Sequence, residues 1–155
     1  MQPDYFKQIR WIYWIIFAFL VLFAAITILL APMFIGIIEW TTNEIETFKT
    51  IIILLALAGI PAAFILHSKR VKRISSALPF HDQIRRYKAG FFIKIITIEA
   101  LAVLSLIGYL VTFEKTFLYM FALLFVAYLL TIPIASKIAE ELEPAEIDEI
   151  DKTEE

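Results

Sequence analysis

An uncharged run of 28 residues, from Trp11 to Ile38, constrains this chain more than any other feature. As a continuous helix it would be roughly 42 Å long, more than the about 30 Å hydrocarbon core of a bilayer. Either such a helix tilts, or Pro32 breaks it and leaves residues 33 to 40 at the far interface, because proline removes an internal hydrogen bond and clashes with the preceding turn. The break is the reading adopted. The run is also too long for the about 7–15-residue apolar region of a cleavable signal, despite Lys7 and Arg10 ahead of it, so it reads as a retained span. Composition agrees: 61% of the 155 residues are hydrophobic and 19% charged, against roughly 45–50% and about 25% in ordinary soluble domains. Four spans of about 20 residues would leave no room for a large soluble catalytic domain.

Three further apolar runs follow. Thr50 to Leu66 is short and contains Pro61; Phe91 to Thr112 and Phe117 to Ser136 are joined by a tight connection at Glu114 and Lys115. So short a link makes its two helices antiparallel neighbours. Ala56, Gly59 and Ala63 recur at helical spacing in the second run. Small residues there allow close approach of another helix backbone, within one subunit or across a homo-oligomer. The expected fold is therefore all-α: a polytopic membrane protein with four transmembrane helices as two antiparallel hairpins. The transmembrane domain covers 1–136, with spans at about 11–38, 50–66, 91–112 and 117–136. Short matches hint at duplication: Gln8-Ile9-Arg10 precedes the first span and Gln83-Ile84-Arg85 the third, while Ile60-Pro61 and Ile132-Pro133 fall in the second and fourth.

Charge placement predicts orientation. The segment 67–90 carries Lys69, Arg70, Lys72, Arg73, Arg85, Arg86 and Lys88 against Asp82, a sum of +6, whereas the opposite loops hold one lysine each, Lys49 and Lys115. Basic residues near span ends stay on the cytoplasmic side, so 67–90 reads as a cytoplasmic loop and both termini as cytoplasmic. Trp11, Tyr13, Trp14 and Trp40 suit the two interfaces. The tail 137–155 has nine acidic residues against Lys137 and Lys152, a sum of -7, and is expected to be largely disordered. Loop and tail are thus complementary in charge and on the same side, and the loop can also attract anionic lipid headgroups. No nucleic-acid reading module accompanies the basic residues, so nucleic acid is not an expected partner.

The interior offers few chemical groups. Glu99 lies deep in the third apolar run, where an ionised carboxylate is costly. It is either a proton or cation site, or a protonated carboxyl hydrogen-bonded to a neighbour such as Tyr128 or Ser105. Lys94 is expected to run its stem toward the interface, and His67 and His81 to be solvated loop residues. Without cysteine, and with two histidines in all, no metal site or cofactor is expected. No HExxH, GxSxG, P-loop or GxGxxG pattern occurs, which points away from an enzyme.

A glutamate-bearing four-span chain invites comparison with the small multidrug resistance transporters, but those carry the glutamate in the first span. Duplicated rotor-ring subunits of V-type ATPases are glycine-rich, whereas this chain has four glycines. The segment Ile95 to Tyr109, IITIEALAVLSLIGY, resembles instead a group of uncharacterised four-span bacterial membrane proteins with a glutamate in the third span, an alanine soon after and a glycine about nine residues on. Those positions are Glu99, Ala102 and Gly108 here, with Leu101 where many of that group have proline; the likeness covers mainly residues 83 to 112. It implies the fold more than an activity; the membrane expected is a bacterial-type cytoplasmic (inner) one. The functional expectation is a non-enzymatic interaction or accessory subunit presenting cytoplasmic docking surfaces to lipid or protein. The second is a homo-oligomeric, proton-coupled small-molecule or ion transporter that uses Glu99.

Overall fold

The structure, a computed structural model, describes residues 4–75 and 77–142. Five helices follow one another: α1 (Asp4–Phe34), α2 (Thr42–Val71), α3 (Phe80–Thr112), α4 (Lys115–Leu129) and α5 (Ala135–Leu142), with no strand among the described residues. Three of them, α1, α2 and α3, are long and apolar enough to cross a membrane; α4 is apolar but has 15 residues. The 117–136 run expected as a fourth span is interrupted, because the chain leaves the helix at Leu130 and Pro133 follows. Proline cannot supply the next backbone donor. Thr131 caps the end by donating its hydroxyl to the Tyr128 carbonyl at 2.6 Å.

The other boundaries shift for local reasons. α1 ends two residues beyond Pro32, and the chain turns at Gly36, whose φ of +80° favours a residue without a Cβ. α2 starts well before its apolar run because Thr41 and Glu44 form a capping box. The Thr41 amide donates to Glu44 Oε2 at 2.8 Å and the Glu44 amide to Thr41 Oγ1 at 3.4 Å. The segment 67–90, expected as a loop, is mostly helix: α2 runs to Val71 and α3 begins at Phe80, leaving only 72–79 as connection. Pro61 sits inside a continuous α2 whereas Pro133 lies outside any helix, so the two matched Ile-Pro pairs occupy different local structures.

α3 is the central element and packs against α1, α2 and α4. Its buried residues Ile84, Tyr87, Phe91, Ile95, Ile98 and Ala102 are spaced three or four apart, which puts them on one stripe of the helix. Facing them are Ile9, Tyr13 and Leu20 of α1, Ala63 and Val71 of α2, Leu124 and Tyr128 of α4, and Ile138 of α5. Tyr13 and Tyr128 lock α1 to α4 reciprocally, each hydroxyl donating to the other's carbonyl at 3.2 Å with the rings stacked at 5.0 Å. Much of the remaining surface is apolar, including Trp11, Phe19, Leu22 and Leu29 of α1 and Leu54 and Leu57 of α2. Apolar surface on that scale is stable facing hydrocarbon rather than water.

The turn at 113–114 returns the chain along α3. Phe113 adopts the left-handed conformation at φ 57° and its amide donates to the Tyr109 carbonyl at 2.8 Å. Gly108 lets α4 approach: a Cβ there would lie 2.7 Å from Phe117 Cδ1.

Candidate functional site

The helix ends bring polar groups together where the sequence separates them. Between α2, α3, the 130–134 connection and α5 lies a cavity of about 450 Å³. Its apolar walls include Phe64, Phe91, Leu130, Ile134 and Ile138, and its polar lining includes His67, Tyr87, Lys94, Lys137 and Glu141.

His67 is not a solvated loop residue, as the sequence suggested. It lies in α2, is 5% exposed, and its ring meets Tyr87 edge-on at 5.3 Å. The cause is the extension of α2 past its apolar run, which turns His67 onto the same packed face as Ala63 and Val71. Its Nε2 faces Glu141 Oε2 at 3.4 Å, while its buried Nδ1, on the side of Gly90, has no hydrogen-bond partner among the described residues. The Glu141 carboxyl is held below its ordinary value of 4.5, chiefly by this contact with His67, with Tyr87 and Lys94 adding to it against the opposing effect of burial. Glu141 belongs to the acidic tail, so α5 brings the first part of that tail to the basic end of the molecule. Residues 143–155, and with them most of the expected tail, lie outside the described residues.

Lys94 also departs from expectation. It does not reach out along the interface; it is 7% exposed, with Nζ 5.2 Å from the Phe91 ring centre and 5.4 Å from that of Phe64. Two ring faces attract an ammonium but do not neutralise it. No carboxylate oxygen of the described residues is within 4 Å of it.

Glu99 sits 19 residues into α3, roughly 28 Å along the helix at 1.5 Å per residue, and is half-buried. Neither expected neighbour donates to it. Ser105 gives its hydroxyl to the Leu101 carbonyl at 3.0 Å and Tyr128 gives its own to Tyr13. Glu99 has no hydrogen-bond partner among the described residues.

The seven cations of 67–90 cluster at one end of α2 and α3. Lys69, Arg70, Lys72, Arg73, Arg85 and Arg86 are exposed and Lys88 is half-buried. Arg85 meets Asp82 at 3.5 Å, and Lys88 donates to Gln8 Oε1 at 3.4 Å; no other of the seven has a carboxylate within 4 Å among the described residues. Ala56 and Ala63 are buried, and Gly59 lies so near α3 that a Cβ would meet Leu101 at 2.7 Å; these small residues serve packing inside the subunit.

The cavity groups escaped sequence reasoning because a lone histidine, a lysine and a tail glutamate are far apart in the chain. The one available signal was spacing: His67 and Lys94 continue the packed stripes of α2 and α3. No family model, curated protein or solved structure matches the chain.

Proposed function

We propose that this chain is a non-enzymatic integral membrane protein, an interaction or accessory subunit, that docks through its cationic end on anionic lipid headgroups. In this reading the chain crosses a cytoplasmic (inner) membrane with both termini inside, α4 completing a fourth crossing and the helices forming two hairpins. The observation that carries it is the set of exposed cations on α2, α3 and the 72–79 connection, with a single carboxylate contact between them among the described residues. Each basic residue near an anionic surface contributes about 1 kcal/mol, falling with salt.

The test uses the purified chain in nanodiscs of mixed phosphatidylglycerol and phosphatidylcholine, with bound lipid analysed by mass spectrometry. Wild type is expected to enrich phosphatidylglycerol, and the variant K69Q/R70Q/R73Q/R86Q to lose that enrichment. Equal lipid selectivity in both would overturn the reading. Co-purification with one membrane protein under mild detergent is expected of an accessory subunit, and repeated isolation of the chain alone counts against that part.

A second reading rests on Glu99, a membrane-deep carboxyl without a hydrogen-bond partner among the described residues. In a homo-oligomer it would serve as the coupling carboxylate of a proton-driven small-molecule or ion transporter. Glu99→Gln is then expected to abolish proton-coupled flux in proteoliposomes while the protein still folds, and unchanged flux removes the idea.

A further inference from the structure

We propose that the cavity between α2, α3 and α5 is a binding site for one anionic amphiphile. Its carboxylate or phosphate head meets Lys94, and its chain lies against Phe64, Phe91 and the 130–134 wall, with Glu141 acting as an internal anion that competes for the same place. This goes beyond the surface docking above and does not depend on it: it concerns one head per chain and turns on Lys94 and Glu141, which are outside the docking set, with Lys72 the one cation common to both.

Charge is the first argument. Among the described residues, Lys72, Lys94 and Lys137 line the cavity against one carboxylate, Glu141. Lys94 is the buried one, and a buried ammonium without an anion at contact distance is costly. An incoming anion removes that cost, and Lys94 is already held toward the cavity by the two aromatic rings.

The walls decide between a free anion and an amphiphile. A bare phosphate would leave Phe64, Leu130, Ile134 and Ile138 without contact, whereas an acyl chain covers them. A volume near 450 Å³ falls within the about 300–1,000 Å³ range of small-molecule sites.

Glu141 explains how the site is filled when no such ligand is bound. Its side chain is 44% exposed and touches His67 at 3.4 Å, at the long end of a hydrogen bond. It rides on an eight-residue helix anchored by Ile138. When the carboxylate swings out, His67 Nε2 and the Tyr87 hydroxyl become donors for the arriving head, beside Lys94.

The full chain in dodecyl maltoside is titrated with sodium laurate, 1-dodecanol and inorganic phosphate, and adducts are counted by native mass spectrometry. The expectation is one laurate per chain, with dodecanol and phosphate at least tenfold weaker. Lys94→Met is expected to weaken laurate at least tenfold and Glu141→Gln to tighten it severalfold, while Lys69→Gln, on an exposed cation outside the cavity, leaves it unchanged. Phosphatidic acid in place of laurate distinguishes a lipid phosphate from a fatty-acid carboxylate. Undiminished laurate binding in Lys94→Met overturns the proposal, as does an unchanged affinity in Glu141→Gln, an exposed position whose variant keeps the fold. Phosphate binding as tightly as laurate overturns the amphiphile. Loss of laurate in Lys69→Gln equal to that in Lys94→Met assigns binding to the outer surface, which would sink the cavity and leave the docking reading standing.

Discussion

Two glycines that meet a neighbour at the same distance predict opposite outcomes for the same substitution. At Gly108 an added Cβ would lie 2.7, 2.9 and 3.1 Å from three ring atoms of Phe117; at Gly59 it would lie 2.7 Å from Leu101 Cδ1, with the next atoms at 3.7 Å. Phe117 is fully buried and its ring packs on Phe48 at 5.6 Å, so it cannot turn aside, and α3 and α4 must separate. Overpacking of that kind costs about 1–3 kcal/mol, offset in part by the roughly 0.5–1 kcal/mol that alanine gains over glycine in a helix. Gly108→Ala should therefore destabilise by up to about 2.5 kcal/mol, with the middle of the range at about 1 kcal/mol. Leu101 is half-buried and presents only the tip of a flexible side chain, so a rotamer adjustment of about 0.5–1.5 kcal/mol nearly cancels the same gain. Gly59→Ala should fall between about 0.5 kcal/mol more stable and about 1 kcal/mol less stable than wild type, with the middle of the range near zero. Reversible unfolding in mixed dodecyl maltoside and SDS micelles, followed by circular dichroism, measures both. A Gly108→Ala variant as stable as wild type, or a Gly59→Ala variant as damaged as Gly108→Ala, refutes the packing argument.

The Tyr13 and Tyr128 hydroxyls each make one interhelical hydrogen bond, so Tyr13→Phe and Tyr128→Phe should each cost about 0.6 kcal/mol, the average for such bonds in membranes. The same unfolding assay checks this, and a cost above about 2 kcal/mol would show that the ring stack, not the hydrogen bonds, had been disturbed. Thr41→Ala removes the capping box of α2 and should cost about 1 kcal/mol locally, read as faster amide hydrogen exchange at residues 43–46. Acidification should free α5. The folded-state pKa of Glu141 lies below its ordinary 4.5, so its contribution to docking is fully present above pH 4.5 and is lost as the pH falls below that value. A spin label at Ser136 is expected to gain mobility in that window in wild type and to show no pH dependence there in Glu141→Gln; the same pH response in the two proteins would contradict this.

The extent of the helices was only partly legible. Apolar runs mark where lipid can surround a helix, and they located α1 and the cores of α2 and α3. They do not mark where hydrogen bonding stops, and α2 and α3 continue through charged residues because a helix at an interface can point cations outward while its backbone stays paired. The Thr41-Thr42-Asn43-Glu44 pattern was a readable signal of the early α2 start. Pro133 was equally visible, yet hydropathy alone carries the fourth run straight through it.

What the sequence alone determined is the class of solvent and the distribution of charge: long uncharged runs admit few settings besides a bilayer, and basic residues collect in one segment. These are sums over composition along the chain, independent of which side chain meets which. The cavity was decided by tertiary structure. Burial of His67 and Lys94, the approach of Glu141 on α5 and the lack of a hydrogen-bond partner for Glu99 among the described residues depend on the rotation of each helix and on which side chains the other helices present, and helical spacing marks at most the face, not the partner.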